Sequence, residues 1–115
     1  MEQNSVGISS DVIRGYNDTM ILYILRDAPS YGYEISKRIR AKSEDKYIIK
    51  ETTLYSAFTR MEKNGYIESF EAEPDTEGSG KKRTYYRITP AGHDYYQMKC
   101  AEWRLTKEVV EQFTI

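Results

Sequence analysis

Apolar residues at helical spacing predict a first helix close to the start of the chain. Residues 9–11, Ser-Ser-Asp, are of the types that cap helix N-termini. Beyond them, apolar side chains recur every three or four residues and form one broad face: Ile13, Tyr16, Met20, Ile21, Ile24 and Leu25. We expect this helix to end at Asp27-Ala28-Pro29, because proline disfavours helical geometry at the residue before it.

Two further helices are predicted in the next third of the chain. Ser30 is a candidate N-cap for the second helix, whose core side carries Ile35 and Ile39 and whose exposed side is basic. The third helix spans about 52–64 and has the i, i+3, i+4, i+7 pattern of a buried stripe: Leu54, Ala57, Phe58 and Met61. Asn64-Gly65 ends it, since glycine suits the left-handed position that follows many helices.

Two short strands and a long helix complete the predicted order of elements. Residues 66–71 and 84–88 are rich in β-forming types, and the polar stretch 74–80 joins them as in an antiparallel hairpin. Thr89-Pro90 starts the last helix, with Thr as N-cap and Pro at the first helical position. This helix, from about 90 to 112, is apolar on two stripes and therefore needs two partners.

One partner of the long helix can be its own domain, and the other is most simply a second copy of the chain. We therefore expect a homodimer that forms through this set of residues: Tyr95, Met98, Trp103, Leu105, Val109, Val110 and Phe113.

Composition places these elements in one globular domain. The chain has 115 residues, 39% of them hydrophobic, with 11 tyrosines, which excludes a disordered protein. Cys100 is the single cysteine, so no internal disulfide is expected. The first residues lack the pattern of a signal peptide, and the longest apolar stretch, Met20–Leu25, is too short to span a bilayer. We expect a cytoplasmic protein that does not associate with membranes.

The charges are sorted along the chain, although the formal net charge is only −1. Residues 30–64 hold eight basic and five acidic side chains, and residues 81–89 hold four basic and none acidic. Residues 65–80, between these blocks, hold five acidic side chains and none basic. Such runs are often only solvated helix faces. The same arrangement also permits a locally basic surface that binds nucleic acid.

The second and third helices, joined by a short connection, have the form of a helix-turn-helix, and the hairpin beside them has the place of a wing. The outward face of 52–63 carries short hydroxyl side chains and two cations, which can approach bases and phosphates. The predicted wing carries Lys81, Lys82 and Arg83 near its tip, where they can reach a phosphate backbone. The pattern favours binding of double-stranded DNA.

Three segments, YGYEISKRI, TLYSAFTRMEKNGYIES and KKRTYYRITPAG, resemble the PadR family of bacterial transcriptional repressors in order and spacing. The resemblance covers roughly 20–96 and implies a dimeric winged helix-turn-helix repressor that binds a palindromic operator and is released by a small molecule. It also implies DNA contacts for Tyr55 of the TLY element, for Tyr33 of the GYE element and for the basic wing. The chain has Glu51-Thr52 where members often have Pro-Gly.

The expected fold is thus mainly α with a small β-hairpin wing. Residues 1–89 form the winged helix-turn-helix DNA-binding domain, with its N-terminal helix from about 10, and 90–115 form a C-terminal dimerisation helix of the same compact unit. The complete set of candidate DNA contacts is Tyr33, Lys50, Thr52, Thr53, Tyr55, Ser56, Thr59, Arg60, Lys63, Lys81, Lys82 and Arg83.

Trp103, the single tryptophan, is either a dimer-interface anchor or a ligand contact. The family resemblance supports the second alternative, since multidrug-binding relatives hold a flat ligand beside a tryptophan of this helix. Tyr96 and Cys100 would be neighbours of such an aromatic effector. His93 and Cys100 do not make a metal site on their own, and no catalytic motif or phosphate loop is present, so neither an enzyme nor a cofactor is expected.

Several alternatives remain open at the level of sequence. Tyr55 could be a core aromatic, Arg60 and Lys63 could be solvated charges, and Lys81–Arg83 could only solubilise a hairpin tip. Arg87 could contact DNA or pair with an acid across the hairpin, and Tyr85 and Tyr86 favour packing. The whole chain could also be a winged-helix protein-interaction module or a MarR-like regulator.

Overall fold

The computed structural model describes residues 7–73 and 82–115. Within these ranges the order of elements is α1 (Ser10–Ile13), a 3₁₀ turn (Arg14–Tyr16), α2 (Asn17–Leu25), β1 (Ser30–Tyr31), α3 (Gly32–Lys42), α4 (Glu51–Lys63), β2 (Ile67–Ala72), β3 (Arg83–Ile88) and α5 (Pro90–Glu111). The predicted class, mainly helical with a small antiparallel wing, is confirmed.

The predicted first helix is divided in two. Ser9 caps α1 as expected, because its side chain accepts a hydrogen bond from the Val12 amide at 3.3 Å. The 3₁₀ turn then interrupts the helix at Arg14–Tyr16, around Gly15, a poor helix former. The break leaves α1 on the surface, whereas α2 is central and buries Ile21, Leu22, Ile24 and Leu25.

The α3–α4 pair forms the predicted helix-turn-helix. The side chains of α3 and α4 that enter the core are those that the periodicity predicted: Ile35, Ile39, Leu54, Ala57, Phe58 and Met61. Helix α4 starts at Glu51 without a side-chain cap, and the Lys50 carbonyl accepts the Leu54 amide at 2.9 Å. Gly65 follows α4 with φ +82, the left-handed conformation that was expected there.

The prediction that Ser30 caps α3 is wrong. Ser30 belongs to β1 and pairs with Tyr86 of β3, and the N-cap residue of α3 is Tyr31. The Ser30 hydroxyl, almost fully buried, instead donates to the Glu34 carboxylate in the first turn of α3. The wing is consequently a three-stranded antiparallel sheet in the order β1-β3-β2, not an isolated hairpin.

The long helix α5 has two halves with different surroundings. Thr89 caps it by accepting the Gly92 amide at 3.0 Å, and Pro90 takes the first position, as predicted. Its first half packs on α2 and places Tyr96 in the core. Its second half, from Trp103 onward, and the turn that follows it expose large apolar side chains: Trp103, Leu105, Val109, Val110 and Phe113.

Candidate nucleic-acid interface

The outer face of α4 carries short hydroxyl side chains and one lysine. At 100° per residue, the positions opposite the buried stripe are Thr52, Ser56, Thr59 and Lys63, and all four are exposed. Lys63 forms no salt bridge with any residue that the structure describes. Glu62 lies to one side, where its carboxylate accepts the Ser69 hydroxyl at 2.6 Å. This face thus combines hydrogen-bonding groups with positive charge.

Tyr55 lies on the flank of α4 that faces α3 and the sheet. Its ring packs edge-on against Phe58, with centroids 5.3 Å apart, yet 44% of the residue is exposed. Its hydroxyl end lies against Gly32, where an added Cβ would stand only 2.9 Å from the Tyr55 Cζ atom. Tyr55 is therefore a surface residue whose direction is set by contact with α3, and not a core aromatic.

The same flank brings the helix-turn-helix and the wing together. A shallow depression of about 330 Å³ is lined by residues of α3, α4, β1 and β3: Tyr31, Gly32, Tyr33, Tyr55, Arg83, Thr84 and Tyr86. Tyr33 is 70% exposed at its edge. Arg83 stacks on the Tyr31 ring, with the guanidinium carbon 4.4 Å from the centroid. Three of the predicted DNA contacts, Tyr33, Tyr55 and Arg83, are thus neighbours.

The opposite flank of α4 faces α2 and α5. Arg60 pairs there with Asp18 of α2, whose side chain is 9% exposed, and Tyr95 of α5 donates its hydroxyl to the same carboxylate at 3.1 Å. Burial, and then the Asp18 charge, raise the pKa of Tyr95 to about 12. Thr53 lies on this flank and is half-buried. Arg60 is therefore engaged within the chain, although half of its side chain remains exposed.

The wing residues differ in their surroundings. Arg87 pairs with Glu68 across the hairpin at 3.4 Å and stacks on Phe70, so the alternative of a cross-strand ion pair holds for it. Tyr86 is buried against Phe58 and Tyr85 stacks on Phe70, which confirms the packing expected of both. Lys82 is exposed, whereas Lys81 lies outside the described residues. Lys50, also exposed, stands at the start of α4.

Comparison with known families assigns this arrangement. Residues 21–98 match the model of the PadR-like family of transcriptional regulators. The chain belongs to this family. A solved transcriptional regulator from Clostridium thermocellum is 60% identical, with a TM-score of 0.85 over 92% of this chain and 100% of its own. A solved PadR family regulator from Clostridium difficile is 40% identical, with a TM-score of 0.71 over 85% and 97%.

A further relative, called uncharacterized protein X, comes from Lysinibacillus sphaericus. It is 40% identical over 106 residues, which are 92% of this chain and 94% of the relative. This match therefore continues along α5 past residue 98, where the match to the family model ends.

The three predicted effector residues of this PadR-family chain lie on one face of α5 and differ in burial. Tyr96 is buried in the core, where burial raises the pKa of its hydroxyl, and Cys100 lies partly buried one turn later. Trp103 stands on the open part of α5, 45% exposed, with its ring edge-on to Tyr16 at 5.1 Å. The three positions, i, i+4 and i+7, thus follow one face of α5, from the buried Tyr96 to the exposed Trp103.

Trp103 lines an apolar groove between α5 and the N-terminal segment. The groove has a volume of about 780 Å³, and its walls are formed mainly by Ile8, Val12, Tyr16, Met20, Trp103 and Val110. Ile8 and Val12 were absent from the sequence prediction, and both are exposed apolar residues. Ile8 lies directly before the Ser9 cap and Val12 lies in α1. The apolar residues on either side of this candidate cap were the signal that could have found them.

Tyr95 differs from the other residues that we expected to dimerise. Its ring stacks on Tyr66, with centroids 4.0 Å apart and planes 7° apart, and its hydroxyl is bonded to Asp18. It is half-buried within its own chain, because it lies in the first half of α5, which packs on α2. The other predicted residues are all exposed: Met98, Trp103, Leu105, Val109, Val110 and Phe113.

The described residues form neither a cluster of metal ligands nor a membrane-spanning helix. Within 7–73 and 82–115, no three His, Cys, Asp or Glu side chains come together as metal ligands would. None of the helices in these ranges combines the length and the apolar character that crossing a bilayer requires.

Proposed function

We propose that this PadR-family regulator is a homodimeric repressor that binds a palindromic operator and is released by a small aromatic ligand. The observation that carries DNA binding is the polar, cationic outer face of α4, flanked by Tyr33, Tyr55 and Arg83. A helix of this kind fits the major groove, where hydroxyl groups and cations meet base edges and phosphates.

In this proposal the predicted DNA contacts fall into groups with different roles. Thr52, Ser56 and Thr59 face the bases, with Thr53 at the edge, and Tyr33 and Tyr55 contact the backbone or bases beside α3. Phosphates are contacted by the cations, Lys50, Lys63, Lys81, Lys82 and Arg83. Arg60 reaches a phosphate only with the exposed part of a guanidinium that already pairs with Asp18.

The homodimer is proposed to form through α5 and α1. Trp103 and Val110 of α5 and Val12 of α1 line one apolar groove, and Leu105 and Val109 are exposed on another side of α5. A second copy is the occupant that fits best, because two α5 helices related by a two-fold axis cover each other's apolar stripe. The groove runs along α5, which belongs to the same compact unit as α4. The dimer would therefore hold its two α4 helices in a fixed relative position.

The proposed ligand site is the same groove, next to Trp103. An indole that is 45% exposed and held by Tyr16 offers a flat face for an aromatic molecule. Tyr96 is buried and therefore contributes to the support of α5 and not to direct contact, with Cys100 beside it. Ligand binding there would favour a different separation of the two α4 helices.

The experiment is a selection from random double-stranded DNA with the purified chain, followed by titration of the selected duplex at several salt concentrations. We expect a palindromic sequence whose half-sites lie about one helical turn, roughly 10 bp, apart. Light scattering on the same sample should give the mass of two chains. Absence of any duplex binding at moderate salt would reject the proposal and favour the protein-interaction alternative.

A further inference from the structure

One buried carboxylate connects three helices that are far apart in sequence. Asp18 belongs to the central helix α2, Arg60 to α4 and Tyr95 to α5. The Arg60 guanidinium meets Asp18 Oδ1, and the Tyr95 hydroxyl donates to Asp18 Oδ2 at 3.1 Å. The contacts span 42 and 77 positions of sequence, so they depend entirely on how the helices pack.

The chemistry of a buried charge makes these contacts selective for one arrangement. A carboxylate that is withdrawn from water must be paired and hydrogen-bonded, or its burial is strongly unfavourable. Each oxygen of Asp18 has one partner, and both partners come from other helices. A rotation or shift of α4 against α5 would therefore break at least one of the two contacts and leave a carboxylate that is 9% exposed with a single partner.

The Tyr95 ring is held in place by a second aromatic ring. The ring of Tyr95 lies flat on Tyr66, the residue that precedes β2, with planes 7° apart. This stacking fixes the direction of the hydroxyl, so the hydrogen bond to Asp18 acts on a ring that has little freedom to follow a displaced carboxylate. The contacts of Asp18 with Tyr95 and Arg60 thereby couple the position of α5 to that of α4.

We propose that Asp18, Arg60 and Tyr95 form a positioning network that fixes the angle between α4 and α5 and so sets the operator spacing that the dimer accepts. This inference rests on the proposed function, because spacing has a meaning only for a dimer that binds two half-sites. In it, Arg60 is primarily a positioning residue, and its contribution to phosphate binding is secondary.

The first test compares Tyr95→Phe with Tyr66→Phe. Both variants remove one hydroxyl from the same stacked ring pair, but only Tyr95→Phe removes a partner of Asp18. Each protein is titrated against the selected operator and against derivatives with one base pair added to or removed from the spacer, a shift of about 3.4 Å per base pair. Circular dichroism and light scattering establish that the variants are folded and have the oligomeric state of the parent chain.

We expect Tyr95→Phe to reduce the preference for the parent spacer by about three- to tenfold, the factor that corresponds to the net strength of one hydrogen bond. Tyr66→Phe should keep the parent preference. If Tyr95→Phe weakens binding to all spacers equally, or leaves the preference unchanged, the positioning role is overturned.

The second test separates positioning from phosphate contact by means of Asp18→Asn. This nearly isosteric change releases the Arg60 guanidinium from its ion pair. If Arg60 acted mainly on phosphate, the variant would bind every duplex as well as or more tightly than the parent, which would contradict the proposal. The positioning network instead predicts a broadened spacer preference, as for Tyr95→Phe. A parent chain that selects no duplex at all rejects the proposed function, whereas a parent with a sharp spacer preference that these variants share rejects only the network.

Discussion

At the scale of single residues, the direction of Tyr55 depends on the absence of a side chain at position 32. Gly32 starts α3, and the Tyr55 ring on α4 occupies the space that a Cβ would need there. Because Tyr55 is 44% exposed, its ring can swing outward if that space is filled. Gly32 therefore controls where a candidate DNA contact points, although glycine has no side chain of its own.

We predict that Gly32→Ala weakens operator binding by about three- to tenfold while the protein stays folded, because the displaced ring reaches solvent and not the core. The measurement is a titration of operator DNA together with thermal unfolding. In a Tyr55→Ala background the same substitution should have no further effect on affinity. An equal loss in both backgrounds would show that Gly32 acts through α3 and not through Tyr55.

Tyr95 gives a second prediction at this scale, which concerns pH. Its pKa in the folded chain is about 12, raised mainly by burial and then by Asp18, against 10.0 for an ordinary tyrosine. A raised pKa stabilises the folded state below pH 10, and this contribution is lost as the pH rises from about 10 toward 12.

We therefore expect the urea midpoint of the parent chain to fall between pH 9 and 11.5 more steeply than that of Tyr95→Phe. Tyr66→Phe is the matched control and should follow the parent. Parallel curves for the parent and Tyr95→Phe would contradict the assignment of this pH dependence to Tyr95.

At the scale of elements, the outer face of α4 and the wing would make different contributions to the proposed DNA binding. The face of α4 presents hydroxyl groups at Thr52, Ser56 and Thr59, which can distinguish bases. The wing presents Lys82 and Arg83, and Arg83 is held in place by the Tyr31 ring. Since phosphates carry no base identity, the wing should add affinity without adding sequence preference.

We predict that Lys82→Ala weakens binding to all duplexes by a similar factor and reduces the slope of log affinity against log salt by about one. A gel-shift series over salt concentration measures both quantities. Arg104→Ala on α5 removes one positive charge away from α4 and the wing, and it should leave the slope unchanged. Ser56→Ala should alter the selected DNA sequence more than the salt slope. An unchanged slope in Lys82→Ala would show that Lys82 does not belong to the interface.

At the scale of the whole molecule, a well-packed core lies beside an apolar groove that is open to solvent. The core lies between α2, α3, α4, the sheet and the first half of α5. Val12 of α1 and Trp103 and Val110 of α5 lie along an open apolar groove of about 780 Å³. A second copy that covers this groove would also place two α4 helices on one side of the assembly, together with their basic residues.

We predict that Val110→Glu converts the dimer to a monomer, because the charge would be buried in the proposed interface. Val110 is 52% exposed in the single chain, so the fold of each protomer should be retained. Light scattering measures the mass, and circular dichroism measures the helix content. Gln97→Glu adds the same charge to the first half of α5, outside the groove lining, and should remain dimeric; a dimeric Val110→Glu protein would place the interface elsewhere.

The sequence by itself determined the order of the main helices and of the two hairpin strands, the buried stripes of α3 and α4, the caps of α1 and α5 and the family motifs. These features depend on periodicity and on residues within a few positions of one another, which a sequence displays directly. It also placed the hydroxyl-rich face of α4 correctly, because that face is the complement of the stripe Leu54, Ala57, Phe58 and Met61.

Only the tertiary structure decided the features that join distant positions. The two-residue strand β1 has no periodicity of its own and exists because it pairs with β3. The contact of Gly32 with Tyr55, the shared carboxylate of Asp18 and the groove between α1 and α5 all require helices that are far apart in sequence to meet. Packing within the chain also explains why Tyr95 is half-buried. It lies in the first half of α5, which packs on α2, and its ring stacks on Tyr66.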